Sequence, residues 1–145
     1  MTDLRLRALQ YLTRREYSRA ELRSKLAGEA ESEEALDGVL DKLQLERFLS
    51  DERFARQRVL ARSTRYGDGR LRQELRQRGV SDADIEVALP EAGDEASRCR
   101  TIWEKKFGRP PESAQERAKQ FRFLQYRGFS ISTIQQTLRG FEDDA

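Results

Sequence analysis

A chain of 145 residues holds one or two small domains or a short array of repeats, and 37% hydrophobic content is low for one compact globule but suits several small cores strung together. Twenty-eight basic residues against 26 acidic ones leave a net charge of only +2, lower than expected of a dedicated DNA binder. With one cysteine, Cys99, and no histidine, an intramolecular disulfide is excluded and the commonest general base is missing.

Leu4 to Arg15 carries Leu6, Leu9 and Tyr11/Leu12 near helical spacing and predicts the first helix. Ser18-Arg19-Ala20-Glu21 reads as a capping box opening a second helix with Leu22 and Leu26 on one face. Ser32 caps a third, in which Leu36, Leu40 and Leu43 form an i, i+4, i+7 stripe that Phe48-Leu49 ends. The fourth helix begins at Ser50-Asp51 and runs to about Thr64, before a turn at Gly67-Asp68-Gly69. The fifth carries Leu71 and Leu75 and stops at Gly79. The sixth opens at Ser81 and ends before Pro90. The seventh starts near Asp94, and Gly108-Arg109-Pro110-Pro111 is a loop. Ser113-Ala114-Gln115-Glu116 is a second capping box, Gly128 ends the eighth helix, Ser130 starts the ninth, and Glu142-Asp143-Asp144 reads as a frayed tail.

A shift of 49 residues aligns the chain with itself. Leu26, Leu75 and Leu124 coincide, as do Ser32, Ser81 and Ser130, then Leu36, Ile85 and Ile134, then Leu40, Leu89 and Leu138. Tyr17 falls on Tyr66, Phe54 on Trp103, and Arg78-Gly79-Val80-Ser81 on Arg127-Gly128-Phe129-Ser130. No segment alternates with period two over strand length. The expected fold is all-α, with three tandem three-helix repeats at 1–49, 50–93 and 94–145 forming an elongated molecule in which each repeat leans on its neighbour.

Charge is distributed as a mosaic. Arg53 to Arg78 holds nine arginines and two acids, Arg98 to Arg127 nine basic residues and three acids, and Glu29 to Asp37 five acids and no base. Basic patches of this size favour a polyanion or an acidic protein surface, and the excess of 23 Arg over 5 Lys supplies planar forks for phosphate or carboxylate, although a GC-rich coding bias would also produce it. The strongest candidate surface is built from Arg58, Arg62 and Arg65 on the fourth helix and its end, and Arg70, Arg72, Arg76 and Arg78 on the fifth. Leu71 and Leu75 face inward there, so Arg72 and Arg76 lie away from the core. The alternative is a solvated charged face.

Catalytic chemistry finds no foothold. Cys99 lies in a predicted helix and reads as an idle thiol. There is no Cys or His cluster for zinc and no phosphate-binding glycine loop, so neither metal nor cofactor is expected. The acid pairs Glu33-Glu34 and Asp143-Asp144 read as solvated. The aromatics Phe54, Trp103, Phe107, Phe121 and Phe123 fall at or near apolar helical positions and suggest core packing over base stacking. The charged segment Met1 to Arg15 has no signal-peptide core, and the longest uncharged run, Gly128 to Leu138, is too short and polar to cross a bilayer. A cytoplasmic, non-membrane location is expected.

The string Phe48-Leu49-Ser50-Asp51-Glu52-Arg53-Phe54-Ala55, followed by Arg62 and then Gly69-Arg70-Leu71-Arg72-Gln73-Glu74-Leu75-Arg76-Gln77-Arg78-Gly79-Val80-Ser81, resembles the RecX family. Ala8 to Leu12 and Tyr17 to Leu26 are similar to the family's first two helices, and the likeness is weakest from Glu91 to Ala118. The resemblance implies a cytoplasmic protein of tandem three-helix repeats in an elongated, curved shape that modulates RecA, mostly inhibiting filament growth, ATP hydrolysis and strand exchange from the filament groove, in DNA repair and the SOS response. Some members also bind DNA. The implied partners are the RecA filament and, in addition, single- or double-stranded DNA. A monomer without enzymatic activity is expected, and the alternative is a stand-alone DNA-binding protein of helix-turn-helix-like repeats.

Overall fold

The computed structural model describes residues 3–139, and the acidic segment Glu142-Asp143-Asp144 lies outside them. The described residues form nine α-helices and no strand. They are α1 (Leu4–Arg14), α2 (Arg19–Leu26), α3 (Glu33–Leu45), α4 (Asp51–Arg62), α5 (Asp68–Gln77), α6 (Asp82–Ala88), α7 (Glu95–Lys106), α8 (Ala114–Tyr126) and α9 (Ile131–Arg139), with short 3-10 turns at Ala27–Glu29 and Leu89–Ala92.

Local chemistry starts almost every helix. Orphan N–H groups at a helix start seek a side-chain oxygen. Asp3 accepts from the Leu6 amide, Ser18 from Glu21, Ser32 from Ala35, Ser50 from Arg53, Ser81 from Asp84, Asp94 from Ser97, Ser113 from Glu116 and Ser130 from Thr133. The box at Ser18 is reciprocal, with the Glu21 carboxylate accepting from the Ser18 amide. At α8 the returning carboxylate, that of Glu116, reaches one residue further back, to the Glu112 amide.

Helix α5 alone starts without such an oxygen, and here the expected turn is corrected. Asp68 and Gly69 form the first helical turn, and Gly67 occupies the cap position. A side chain has no room there, because a Cβ on Gly67 would lie 2.6 Å from the Gly128 carbonyl carbon. Two other boundaries also move. Helix α4 stops at Arg62, short of Thr64, and after α6 the chain continues through Pro90 as a 3-10 turn.

The chain divides into two compact units, residues 1–58 with 75–88, and residues 59–74 with 89 onward. The first unit buries Ala8, Tyr17, Leu22, Leu26, Leu36, Leu40, Leu43 and Leu49 in one cluster. The second buries Cys99, Ile102, Trp103, Leu124, Phe129, Ile134 and Leu138, with Phe107, Phe121 and Phe123 packed against them. The apolar series at the 49-residue spacing are all interior: Leu26, Leu75 and Leu124 are 0, 1 and 0% exposed, and Leu36, Ile85 and Ile134 are 2, 1 and 0%.

Each unit contains a helix-end joint at equivalent repeat positions, made with different donors. In the first, the Ser18 hydroxyl donates to the Arg78 carbonyl over 2.7 Å, and Gly79 (φ 81°) faces Ala20 so closely that a Cβ on Gly79 would sit 2.4 Å from the Ala20 Cβ. In the second, the Gly67 amide donates to the Arg127 carbonyl over 2.8 Å and the Gly69 amide to the Gly128 carbonyl over 3.1 Å. Ser18 and Gly67, Arg78 and Arg127, and Gly79 and Gly128 are 49 residues apart, so the periodicity extends from the core positions to the carbonyls and glycines of the joints.

Candidate functional site

Two residues at the second joint, Arg70 and Arg127, also line a groove of about 790 Å3. Its walls come from the turn after α4, the start of α5, the end of α7 and the end of α8, which supply Arg65 and Tyr66, Arg70, Lys105 and Lys106, and Phe123, Tyr126 and Arg127. Five cations and three aromatic rings line it, with no carboxylate among the lining residues.

Three of the five cations lie over the rings. The Arg70 guanidinium is 4.6 Å from the centre of the Tyr66 ring and 5.4 Å from that of Tyr126, and Arg127 is 5.5 Å from Tyr66 and 5.0 Å from Phe123. Lys106 Nζ is 5.3 Å from the Phe123 centre. A ring face attracts a cation through its quadrupole, so these contacts hold positive charge in place without neutralising it. Arg70 also donates to the Tyr126 carbonyl, and Arg127 to the Arg65 carbonyl, both over 3.3 Å.

Arg98 fixes the connection between α4 and α5. It donates to the carbonyls of Ser63 and Tyr66 and, over 3.0 Å, to the Asp68 carboxylate, and its side chain is only 12% exposed. Trp103 Nε1 donates to Gln120, whose own amide donates to the Arg109 carbonyl, so the polar atoms of this core are satisfied internally.

The seven arginines singled out in the sequence meet different fates. Arg65 and Arg70 line the groove. Arg62 is taken up by Glu74 in a bidentate pair at 3.0 and 2.7 Å, and its guanidinium lies 4.6 Å from the Tyr66 centre. Arg76 pairs with Asp82 at 2.9 Å on the surface of the first unit, and Arg78 pairs there with Glu21. Arg58 and Arg72 are half-buried. The acid-poor appearance of this stretch is therefore partly undone by carboxylates from elsewhere: Glu21 is 57 residues from Arg78 in sequence.

Lys105, Lys106, Tyr66, Tyr126 and Arg127 were not singled out. The excess charge of Arg98 to Arg127 marks three of them, but nothing in the local pattern brings that stretch to the loop after α4. Tyr126 is 73% exposed and Phe123 half-buried, so these rings stand at the surface where Trp103 and Phe54 are core.

Elsewhere the chemistry is quiet. Burial pushes the Cys99 thiol up, away from the thiolate form a nucleophile needs. Among the described residues no group of three His, Cys, Asp or Glu could hold a metal, and no helix is long and apolar enough to cross a membrane.

Comparison with known proteins places the chain among relatives. RecX family models for the first, second and third three-helix domains match residues 5–43, 50–89 and 94–138. Regulatory protein RecX of Chromobacterium violaceum is 48% identical over 142 residues, 98% of this chain and 93% of that protein. Its namesake in Ralstonia pickettii is 46% identical over 97% of this chain and 89% of its own length. The crystal structure of RecX from Lactobacillus salivarius superposes with a TM-score of 0.85 at 22% identity, covering 96% of this chain and 94% of that one, and shows the same fold.

Proposed function

The chain belongs to the RecX family of regulatory proteins, and from that premise we propose that it binds the RecA–DNA filament and restrains the recombinase, ATPase and coprotease activities of RecA. The observation that carries this reading is the match of all three RecX domains, in order, along the chain. The chemistry supports it. A buried thiol with raised pKa and arginines held by backbone carbonyls, carboxylates and rings are features of a binding protein, which acts by occupancy. The contacts with filament phosphates or acidic RecA residues are assigned to Arg58, Arg62, Arg65, Arg70, Arg72, Arg76 and Arg78. The protein works as a monomer in the cytoplasm, without turnover.

The test is RecA ATPase on single-stranded DNA, titrated with the chain. Inhibition should follow bound protein and reverse on dilution. Replacing both Arg72 and Arg76 with Glu should weaken it at least tenfold, about 1.4 kcal/mol or more. A correctly folded double variant that inhibits like the parent would remove these two positions from the contact surface. A chain that leaves RecA turnover untouched at saturation would end the reading.

A further inference from the structure

We propose that the corner between α3 and α4 is a protein-docking hot spot, in which Leu45, Arg47 and Phe48 together fit an apolar pocket edged by carboxylates on a partner protein. The identity of that partner as RecA rests on the filament reading above, whereas the corner itself is defined by this chain.

Three helices end in the same turn. At the end of α3 the Phe48 amide donates to the Leu43 carbonyl and the Arg47 amide to the Gln44 carbonyl, both over 3.0 Å. The ends of α5 and α8 repeat the pattern, with Val80 donating to Leu75 and Gly79 to Arg76, and with Phe129 donating to Leu124 and Gly128 to Gln125. This turn needs a left-handed residue just past the helix, where glycine has no Cβ to clash. Gly79 and Gly128 meet that need at φ 81° and 97°. After α3 the residue is Arg47, at φ 66°, and among the described residues no other non-glycine has positive φ. Arginine therefore stands where its backbone works against the fold.

No contact within the protein explains that choice. The Arg47 side chain is exposed, and among the described residues no carboxylate, carbonyl or ring holds its guanidinium. Its neighbours are unusual as well. Leu45 is 84% exposed, more than any other large hydrophobic residue described, and Phe48 is 49% exposed. The corner that displays them is fixed from both sides. Arg53 donates to the Arg47 and Phe48 carbonyls and pairs with Glu16, while Arg5 pairs with Glu46 and lies 6.0 Å from the Phe48 ring centre. A surface set in this way before a partner arrives loses little freedom on binding. The repeat does not demand the set either. A shift of 49 residues carries Leu45, Arg47 and Phe48 to Asp94, Ala96 and Ser97, the cap and first turn of α7.

The chemistry selects a protein over a phosphate chain. Phosphates would take Arg47 but leave Leu45 and Phe48 in water. Aromatic rings and arginine are the side chains that anchor protein interfaces, the ring in an apolar pocket and the guanidinium on a carboxylate.

The experiment titrates the labelled full chain against RecA filaments on oligothymidylate, beside the same oligothymidylate without RecA, and records the melting of each variant. Leu45→Ser and Arg47→Gly should each weaken filament binding by about fivefold or more. Arg47→Lys keeps the charge and should lose less than Arg47→Gly. Leu45→Ser should melt like the parent, and Arg47→Gly should melt about 2–4 °C higher, because the strain is relieved. Binding to the bare strand should be indifferent to all three. Filament binding that ignores Leu45→Ser and Arg47→Gly would overturn the proposal. So would equal losses on the bare strand, an Arg47→Gly variant that melts no higher than the parent, or a parent dimer that Leu45→Ser dissociates. A parent that never binds the filament removes the filament reading and the docking partner together. A parent that binds while its corner variants bind equally well removes the corner alone.

Discussion

Gly128 occupies a position that no side chain could share. Its φ is 97°, and an added Cβ would fall 2.3 Å from the Arg70 Cβ and 2.6 Å from the Arg70 backbone nitrogen. Both the backbone conformation and the space require glycine, since left-handed geometry penalises a Cβ and the α8 end could recede only by releasing the bonds from Gly67 and Gly69. Gly128→Ala should cost about 3 kcal/mol in urea unfolding, from strain and overpacking together. Gly93 (φ 77°) shares the conformation but meets nothing within 4 Å, so Gly93→Ala should cost less, about 1 kcal/mol. Equal losses at the two sites would show that the close approach contributes nothing. Glycine was legible in the sequence as a helix stop at Gly79 and Gly128. Its second role, admitting the backbone of another helix, depends on a residue about 60 positions away and has no local signature.

Capping serine and aspartate made the helices legible, because a cap acts within three residues of itself. The apolar stripes were legible for the same reason of local periodicity, and they place Leu75 correctly in the interior of α5. That helix has ten residues, too few to persist in water alone, so packing must sustain it. Leu75→Ala should therefore cost about 2–5 kcal/mol. A melting curve unchanged from the parent would remove Leu75 from the core. The joint between α2 and the end of α5 has its own pH signature. Burial pushes the Glu21 carboxyl up, but hydrogen bonds from Arg15, the Ser18 amide and Arg78 outweigh it and hold the group below its ordinary value. A carboxyl lowered in the folded state stabilises above its unfolded pKa, about 4.3, and loses that contribution as pH falls through that value toward the folded one. Glu21→Gln should be less stable than the parent at neutral pH, and the gap should close on acidification. A gap independent of pH would mean that the glutamate acts by shape alone.

At the scale of the whole chain, the 49-residue repeat was readable because core residues recur where cores recur, whereas the division of charge was not. Counting acids and bases along the sequence marks Arg53 to Arg78 as a basic stretch, yet Arg62, Arg76 and Arg78 also pair with Glu74, Asp82 and Glu21 within the protein. The groove draws its cations from two such stretches, Arg53 to Arg78 and Arg98 to Arg127, that are separate in sequence. Ionic strength should distinguish the two populations. Several ion pairs of the first unit are partly solvent-accessible, as with Arg5 and Glu46 at 38 and 32% exposure, and such pairs contribute about 0–1 kcal/mol each. Raising salt from about 0.1 M to about 1 M shortens the screening length from about 10 to about 3 Å. Melting should respond little, because the cores are apolar and the joints are held by uncharged hydrogen bonds to backbone carbonyls. Inhibition of RecA ATPase, corrected for RecA alone at each salt, should fall steeply, because unneutralised cations act only through an external anion. A melting temperature that drops in step with inhibition would show that the arginines hold the fold together. The contacts with the filament would then have to be uncharged.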